Sequence, residues 1–584
     1  MKKMLTLLAC LLIAAPLQAA APISPSLEPD IARLLREEGL QGAVWTTLER
    51  EGAAGVRDAR TGMPMRVDQR VHVGSIAKTV LAVGILRLVS EHRLLLETPV
   101  ATLLPQIRLD NRWNTTDPVR IRHLLDHTAG LDDVHLWHVF SLQADAHTPL
   151  AAAFPPGSRT LRVRQRPGAR VSYSNLGYTL LGMVVEAVTG QPYEIYLDAA
   201  LLAPLGMHDS TFAFVSQAND SRLAMGHFED GVTQPAVASF VRPGGQFTTT
   251  AADMGRLARF LMSDGRLAGQ PFIDTALLQQ MGAPAGTEAA RAGLSVGYAL
   301  GLRTVDRHGV VAKCHGGSTA GFRAMLCLWP GTQQAFFIAL NADSETADYA
   351  RFDALLVRAL MPALPVSPSG PAQQAASWDG WYVPAPNRFD SFRFLDTVFN
   401  PVHVSRDGQA LKLTSPQAAP VTLQPVGGAL FRAPDKQRAS HAFIVSTEGT
   451  RIYSTGTQSY EQMPFPTLLA LWISVAAGLL GLAWIVIASL LRRGPLVPCA
   501  GALALLLPLP FFISQSFLQL GELTIASGLL AVVTAALPVT MLAGLGLALH
   551  RRTVRRMEMG AMLAVLQLCL VLAWWGLLPL RLWA

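Results

Sequence analysis

Gly74-Ser75-Ile76-Ala77-Lys78-Thr79-Val80-Leu81-Ala82-Val83-Gly84-Ile85-Leu86-Arg87-Leu88 places a serine three residues before a lysine at the head of an apolar run. Apolar positions at Val80, Leu81, Ile85 and Leu88 predict a helix over 75–89. Positions three apart share a helical face, so the Lys78 amine can approach the Ser75 hydroxyl. A serine hydroxyl is a poor nucleophile until a base takes its proton. Lysine, with a reference pKa of about 10.4, becomes that base only if its surroundings lower the value. The start of the same helix offers backbone N–H groups to a developing oxyanion. Alone, Ser-x-x-Lys is a weak signal, because most such pairs lie on solvated helix faces.

Two further stretches give the pair a context. Tyr173-Ser174-Asn175 follows Pro167-Gly168 and precedes a helix predicted over 178–188; a third helix is predicted over 251–262. A tyrosine so placed can shuttle a proton, and an asparagine amide can orient both lysine and substrate. His315-Gly316-Gly317-Ser318 comes at the end of a strand predicted over 310–315, with a Gly-rich turn over 316–321 and a second strand over 322–329. Glycines there would let an extended substrate lie close against the strand edge.

In the order Ser-x-x-Lys, Tyr-x-Asn, His-x-Gly, the chain resembles the class C β-lactamase-like serine hydrolases, a group of penicillin-binding carboxypeptidases, D-amino-acid peptidases and esterases. His123 to Leu131, the segment from Pro167 through Tyr178, and Gly244-Gly245 ahead of Thr249-Thr250-Ala251-Ala252-Asp253 match flanking pieces of that family. The resemblance implies an α+β fold, an antiparallel sheet flanked by helices plus an all-helical domain, over residues 27–365. It implies acylation of Ser75, with Lys78 and Tyr173 as base and proton shuttle and Asn175 holding the substrate amide. His315, followed by Gly316 and Gly317, takes the place of the lysine in the Lys-Thr-Gly form of the motif. The N–H groups of Ser75 and Ser318 form the oxyanion hole. No cofactor and no metal are implied. The histidine form is similar to the peptidase and esterase branches more than to true β-lactamases, so the expected substrates are small molecules or peptides carrying an amide or ester.

A chain of 584 residues is too long for one core. Half of it is hydrophobic and 15% charged, which suggests segments meant for lipid. Residues 1–21 (Lys2, Lys3, an apolar run, then Ala19 to Ala21) have the layout of a secretory signal. Residues 366–377 read as a linker. Over 378–462, short alternating runs meet Asp407-Gly408, Pro434-Asp435 and Glu448-Gly449, which argues a small all-β domain; the residues themselves allow a barrel around something apolar but favour a plain β-sandwich with no ligand, and the segment resembles the lipocalin-like C-terminal domain of some of these hydrolases. Within 467–580 the stretches 467–491, 496–516, 524–549 and 560–580 are each long enough to span a bilayer. Arg492 and Arg493 follow the first, and Arg551, Arg552, Arg555 and Arg556 separate the third from the fourth. The positive-inside rule puts these loops in the cytoplasm and everything before 467 outside it. The expected location is the bacterial inner membrane, multi-pass, with the catalytic domain in the periplasm and membrane lipid as a partner. The net charge of +7 comes partly from these arginines and forms no basic stripe, so nucleic acid is not an expected partner.

Other features are read more narrowly. Gly293-Leu294-Ser295-Val296-Gly297 fits Gly-x-Ser-x-Gly, but that elbow needs a strand before the serine and a helix after it, and residues 298–305 read as strand. Asp132, Asp133, His135 and His138 suggest a metal site; without further His or Cys spacing they are expected on a surface loop near the pocket. Cys314 and Cys327 fall on the expected hairpin at heights that do not face each other, so no disulfide is predicted. The rival functional readings are a penicillin-recognising receptor signalling through its spans, or a transport or channel module built from the four spans with the hydrolase as an accessory ectodomain. The inner loops are too short for an output domain, and the spans carry almost no ionisable residues.

Overall fold

The computed structural model describes residues 27–361, 378–492, 495–551 and 556–584. The signal and linker segments lie outside the described residues.

The first part is an eight-stranded antiparallel sheet, ordered Gly297–Ala299, Leu302–Arg307, Val310–Thr319, Phe322–Trp329, Gln334–Leu340, Gly42–Thr47, Glu51–Asp58, Met63–Pro64. Alternation sorts its side chains between two cores. Ala43, Trp45, Phe336, Ile338 and Leu340 pack on one face with Leu27, Ile31, Leu34, Phe352 and Leu356 from the helices Leu27–Glu37 and Ala350–Leu360. Val44, Phe337 and Ala339 face the other way, into a larger core shared with the helices Ile76–Ser90, Asn175–Thr189 and Ala251–Leu261. Helix Ile76–Ser90 is buried almost all round, which explains its apolar composition and gives Lys78 no route to bulk water through its own helix. These helices match the expected ones to within about three residues, an ordinary uncertainty for helix ends.

The hairpin differs from expectation. Strand Val310–Thr319 does not stop at His315 but carries Gly316, Gly317 and Ser318 as strand residues, and Thr319 pairs with Phe322 across Ala320-Gly321. This tighter turn changes the register, so Cys314 pairs directly with Cys327. Their Cα atoms are 4.2 Å apart, the narrow kind of antiparallel pair, and the two form a disulfide. The sequence leaves this disulfide possible without predicting it; the structure forms it, because the turn lies later than the 316–321 placement.

Residues 380–463 form a closed eight-stranded barrel rather than a sandwich, the first strand Gly380–Pro384 pairing with the last, Ser459–Met463. Trp378, Tyr382, Phe431, Phe443 and Tyr453 pack in its interior. After it come four helical segments, Phe465–Leu491, Leu496–Ser514, Ile525–His550 and Arg556–Trp574, each long and apolar enough to cross a membrane.

The barrel is joined to the first part by polar contacts. Buried Arg170 bridges Glu288 and Glu461, Glu288 accepts from the Thr447 N–H and hydroxyl, and Asp306 accepts from the N–H groups of Gln437 and Arg438. The Gly293–Gly297 stretch packs here: Leu294 and Val296 cluster with Ala442 of the barrel, and Ser295 lies in a loop with a strand after it, not before.

Candidate active site

Gly74 takes a left-handed φ of +51°, turning the chain into the helix that Ser75 caps. This turn packs backbone to backbone on the strand carrying His315. A Cβ on Gly317 would fall 1.8 Å from the Val73 carbonyl oxygen, and one on Gly74 2.5 Å from that of Ser318. The glycines therefore bring the Ser75 and Ser318 segments together, where the sequence had suggested room for substrate.

Lys78 is fully buried beneath the serine. Its amine lies 3.0 Å from Ser75 Oγ and 2.6 Å from Asn175 Oδ1, and donates to the Gly244 carbonyl. Burial, helped by Arg388 and opposed by Asp133, pulls its pKa from 10.5 to about 7. A neutral amine has two N–H bonds and a lone pair. With the Asn175 and Gly244 oxygens as pure acceptors, both N–H bonds are used and the lone pair faces Ser75 Oγ–H. Neutral lysine thus satisfies every contact in the form a base needs.

Asn175 is held in turn. Asp133 Oδ1 accepts from its backbone N–H (2.7 Å) and its amide Nδ2 (2.8 Å), which turns Oδ1 toward Lys78. Asp133 Oδ2 accepts from Arg388 Nε at 2.7 Å. Arg388 belongs to the barrel part of the chain, and its guanidinium also lies 4.7 Å from the centre of the Tyr173 ring. A chain of contacts runs from Arg388 through Asp133, Asn175 and Lys78 to Ser75.

Tyr173 is stacked on buried His127 (centroids 4.1 Å), near Tyr298 (5.8 Å) and Lys78 (Nζ 5.0 Å from its centroid). Burial pushes the phenol well above its ordinary 10, against a hydrogen bond with the Ser75 hydroxyl, so it stays protonated at neutral pH. His127 is held far below its ordinary pKa by burial and by Lys78, and its Nδ1 accepts the Ser174 N–H at 3.1 Å.

His315 is buried, and desolvation with Lys78 nearby lowers its pKa to about 3. Nδ1 lies 2.7 Å from the Gly316 carbonyl, a pure acceptor, so Nδ1 carries the hydrogen and Nε2, with no hydrogen-bond partner among the described residues, presents a lone pair. His315 is a neutral acceptor, unlike a lysine in that place.

The structure brings Ser75, Lys78, Tyr173, Asn175, His315, Gly316, Gly317 and Ser318 to one region; all but Lys78 line a cavity of about 1080 Å³. Asp133, Gly244, His127 and Arg388 were not anticipated there. Asp132 and Asp133 are buried struts and not part of a surface loop: Asp132 pairs with Arg164 and His135 and accepts the Asp390 N–H from the barrel side. The cost of burying their carboxylates is offset because each meets cations and N–H groups. Among the described residues, no group of three or more His, Cys, Asp or Glu is arranged to hold a metal.

A family model described as Beta-lactamase matches residues 27–360. Penicillin-binding protein 4 of Amycolatopsis lactamdurans is 29% identical over 308 residues, 51% of this chain and 78% of that protein. Esterase EstB of Burkholderia gladioli is 32% identical over 244 residues, 37% of this chain; the match spans little more than half of the esterase, 57%. Among solved structures, the octameric penicillin-binding protein homologue from Pyrococcus abyssi aligns over 75% of this chain and 99% of its own, at 18% identity and a TM-score of 0.47.

Proposed function

The chain belongs to the beta-lactamase family of serine hydrolases, and from that premise we propose that it cleaves an amide or ester through an acyl-enzyme on Ser75. Neutral Lys78 takes the proton from Ser75 Oγ as the oxygen bonds to the substrate carbonyl carbon. The N–H groups of Ser75 and Ser318 receive the oxyanion. The proton passes by way of the Tyr173 hydroxyl to the leaving nitrogen or oxygen as its bond to carbon breaks. Water then repeats the sequence on the ester and releases the acid. The base is Lys78 rather than Tyr173, because burial leaves the lysine near 7 and moves the phenol upward.

The observation that carries this reading is the Lys78 cradle, in which the buried amine sits among three oxygens, those of Asn175, Gly244 and the Ser75 hydroxyl, so that its neutral form has the Asn175 and Gly244 oxygens for its N–H bonds and Ser75 for its lone pair. A receptor that only bound its ligand would have no use for so desolvated an amine. Neutral His315 supports an uncharged amide or ester at the strand edge over a free carboxylate. The relatives' names, a penicillin-binding protein and an esterase, fit peptide-like amides or esters.

We place the hydrolase on the periplasmic side of the bacterial inner membrane, anchored by its four spans. The Cys314–Cys327 disulfide supports an oxidising compartment. The arginine-rich loops after the first and third spans support a cytoplasmic position for those ends.

Labelling with a short fluorescent fluorophosphonate and a fluorescent penicillin tests the nucleophile. Wild type is expected to gain one adduct, mapped to the peptide containing Ser75, and Ser75→Ala none. Equal labelling of the two proteins would overturn the assignment.

A further inference from the structure

We infer that the substrate of this site is an amphiphile drawn from the outer leaflet of the membrane, its carbonyl at Ser75 and its hydrocarbon along the cleft wall that faces the bilayer. The inference rests on the acyl-enzyme reading above and on the orientation proposed there.

The first observation is where the spans touch the rest of the molecule. Phe465, at the start of the first span, and Trp472 within it meet Trp381 of the barrel, and Trp472 Nε1 donates to the Val398 carbonyl at 2.8 Å. The loop between the second and third spans reaches the hydrolase part: Gly521 N–H donates to the Phe140 carbonyl, and Glu522 Oε1 accepts from the Leu142 N–H at 2.6 Å and the Ser141 hydroxyl at 3.1 Å. After the fourth span, Trp575 meets Phe394, and the Ala584 carbonyl lies 3.1 Å from His135 Nδ1. These are the ends opposite the arginine loops. Trp381, Trp472 and Trp575 gather there, as aromatic side chains do at a membrane surface.

The second observation is which part of the hydrolase is seated there. Residues 134–142 carry Leu136, Val139 and Phe140 into the lining of the catalytic cavity, which Val237, Phe389 and Phe392 share. The same segment rests on the 515–524 loop: Phe140 packs on Phe517 at 6.0 Å, and Gly521 lies so close to Trp137 that a Cβ would fall 2.3 Å from its backbone. One short stretch is therefore both the apolar wall of the cleft and the floor on the bilayer side.

The third is exposure. Val139, Leu142, Phe392, Leu395 and Phe399 stand open at 37–49%. Such a patch is unfavourable against water and at home among lipid headgroups and upper acyl chains. A hydrocarbon chain can pass from lipid into the cleft along this wall without being exposed to water on the way. Ser75 Oγ bonds to the carbonyl carbon, the bond to the leaving oxygen or nitrogen breaks, the leaving group carries off the serine proton, and water frees the acid.

The test uses the full chain in phosphatidylethanolamine–phosphatidylglycerol vesicles. Substrates are 4-nitrophenyl esters from acetate to dodecanoate and acetate esters of alcohols from ethanol to dodecanol. The probe is a hexadecyl fluorophosphonate ending in a diazirine. We expect kcat/KM to rise at least tenfold with chain length in one series, and photo-crosslinks within 134–142 or 515–524. Val139→Asp and Phe517→Asp should each lower the ratio of long-chain to short-chain kcat/KM, a readout that misfolding alone would not move. A flat or falling profile in both series, with Ser75 still labelled by the short fluorophosphonate, overturns the amphiphile and leaves the serine hydrolase standing. Failure of the short probe to label Ser75 overturns the acyl-enzyme reading and this inference with it.

Discussion

At the floor of the cleft, Lys78 has an oxygen for each of its bonds and its lone pair, and every residue that touches it is held by another. Along the wall formed by Leu136, Val139, Phe389 and Phe392, the cleft is apolar and open, assembled from segments far apart in the chain. The floor is pre-organised, so a displaced atom there is felt directly in the chemistry. The wall selects by surface area, which tolerates substitution and grades with the size of the ligand. On the reading proposed above, one pocket separates how a bond is broken from which molecule is brought to it.

The contrast breaks first at Lys78. Lys78→Met keeps the stem and removes the base, and kcat/KM should fall by about 10³-fold or more; a smaller loss, measured on a short ester, would move the base elsewhere. In wild type the base must be neutral. Because the Lys78 pKa is lowered to about 7, kcat/KM should climb as pH rises through about 7 and level off above it.

Next is the backbone contact beneath the serine. Gly317→Ala places a methyl where the Val73 carbonyl lies, so the turn and strand must part, and we expect about a 10²-fold loss in kcat with fluorophosphonate labelling slowed to match. Tyr173→Phe should slow turnover by roughly 10- to 100-fold and affect deacylation, readable as a longer-lived penicillin adduct. Unchanged release would remove the tyrosine from the proton path.

The finest test uses opposite signs. Asp133 raises the Lys78 pKa and Arg388 lowers it. Asp133→Asn should therefore shift the acid limb of kcat/KM to lower pH, and Arg388→Met to higher pH, each by about one unit or less. Movement in the same direction would show that the two act on Lys78 through structure and not charge.

Local spacing made part of this site legible. Ser75 and Lys78 are one helical turn apart, and Tyr173 and Asn175 flank a helix start, so their proximity is written into short stretches. Asp133, Gly244 and Arg388 join them through packing across 42 to 255 residues of separation, which no local pattern records. The hairpin failed on register: a turn spanning 316–321 would set Cys314 opposite Arg323, well short of Cys327, whereas the two-residue connection aligns the two cysteines. Alternation over 378–462 predicted strands, but it is the same in a sandwich and a barrel; closure depends on Trp381 and Tyr382 pairing with Met463 and Gln462, about eighty residues later. The apolar spans are legible from composition alone. Their seating beneath the cleft is not, because Phe517 and Glu522 look like ordinary loop residues until the fold brings Phe140 and Ser141 to them.

Arg388 lies beyond residue 360, where the family match ends, yet it is the cation on the carboxylate that fixes Asn175. The structural unit that builds this site is therefore larger than the stretch the family model matches. A recombination that kept residues 27–360 and exchanged the C-terminal remainder of the chain would preserve every family motif while stripping Asp133 of its countercharge. Barrel and hydrolase would then have to be inherited together, and pairings of Asp133 with a downstream arginine should persist or vanish as one trait among chains of this architecture.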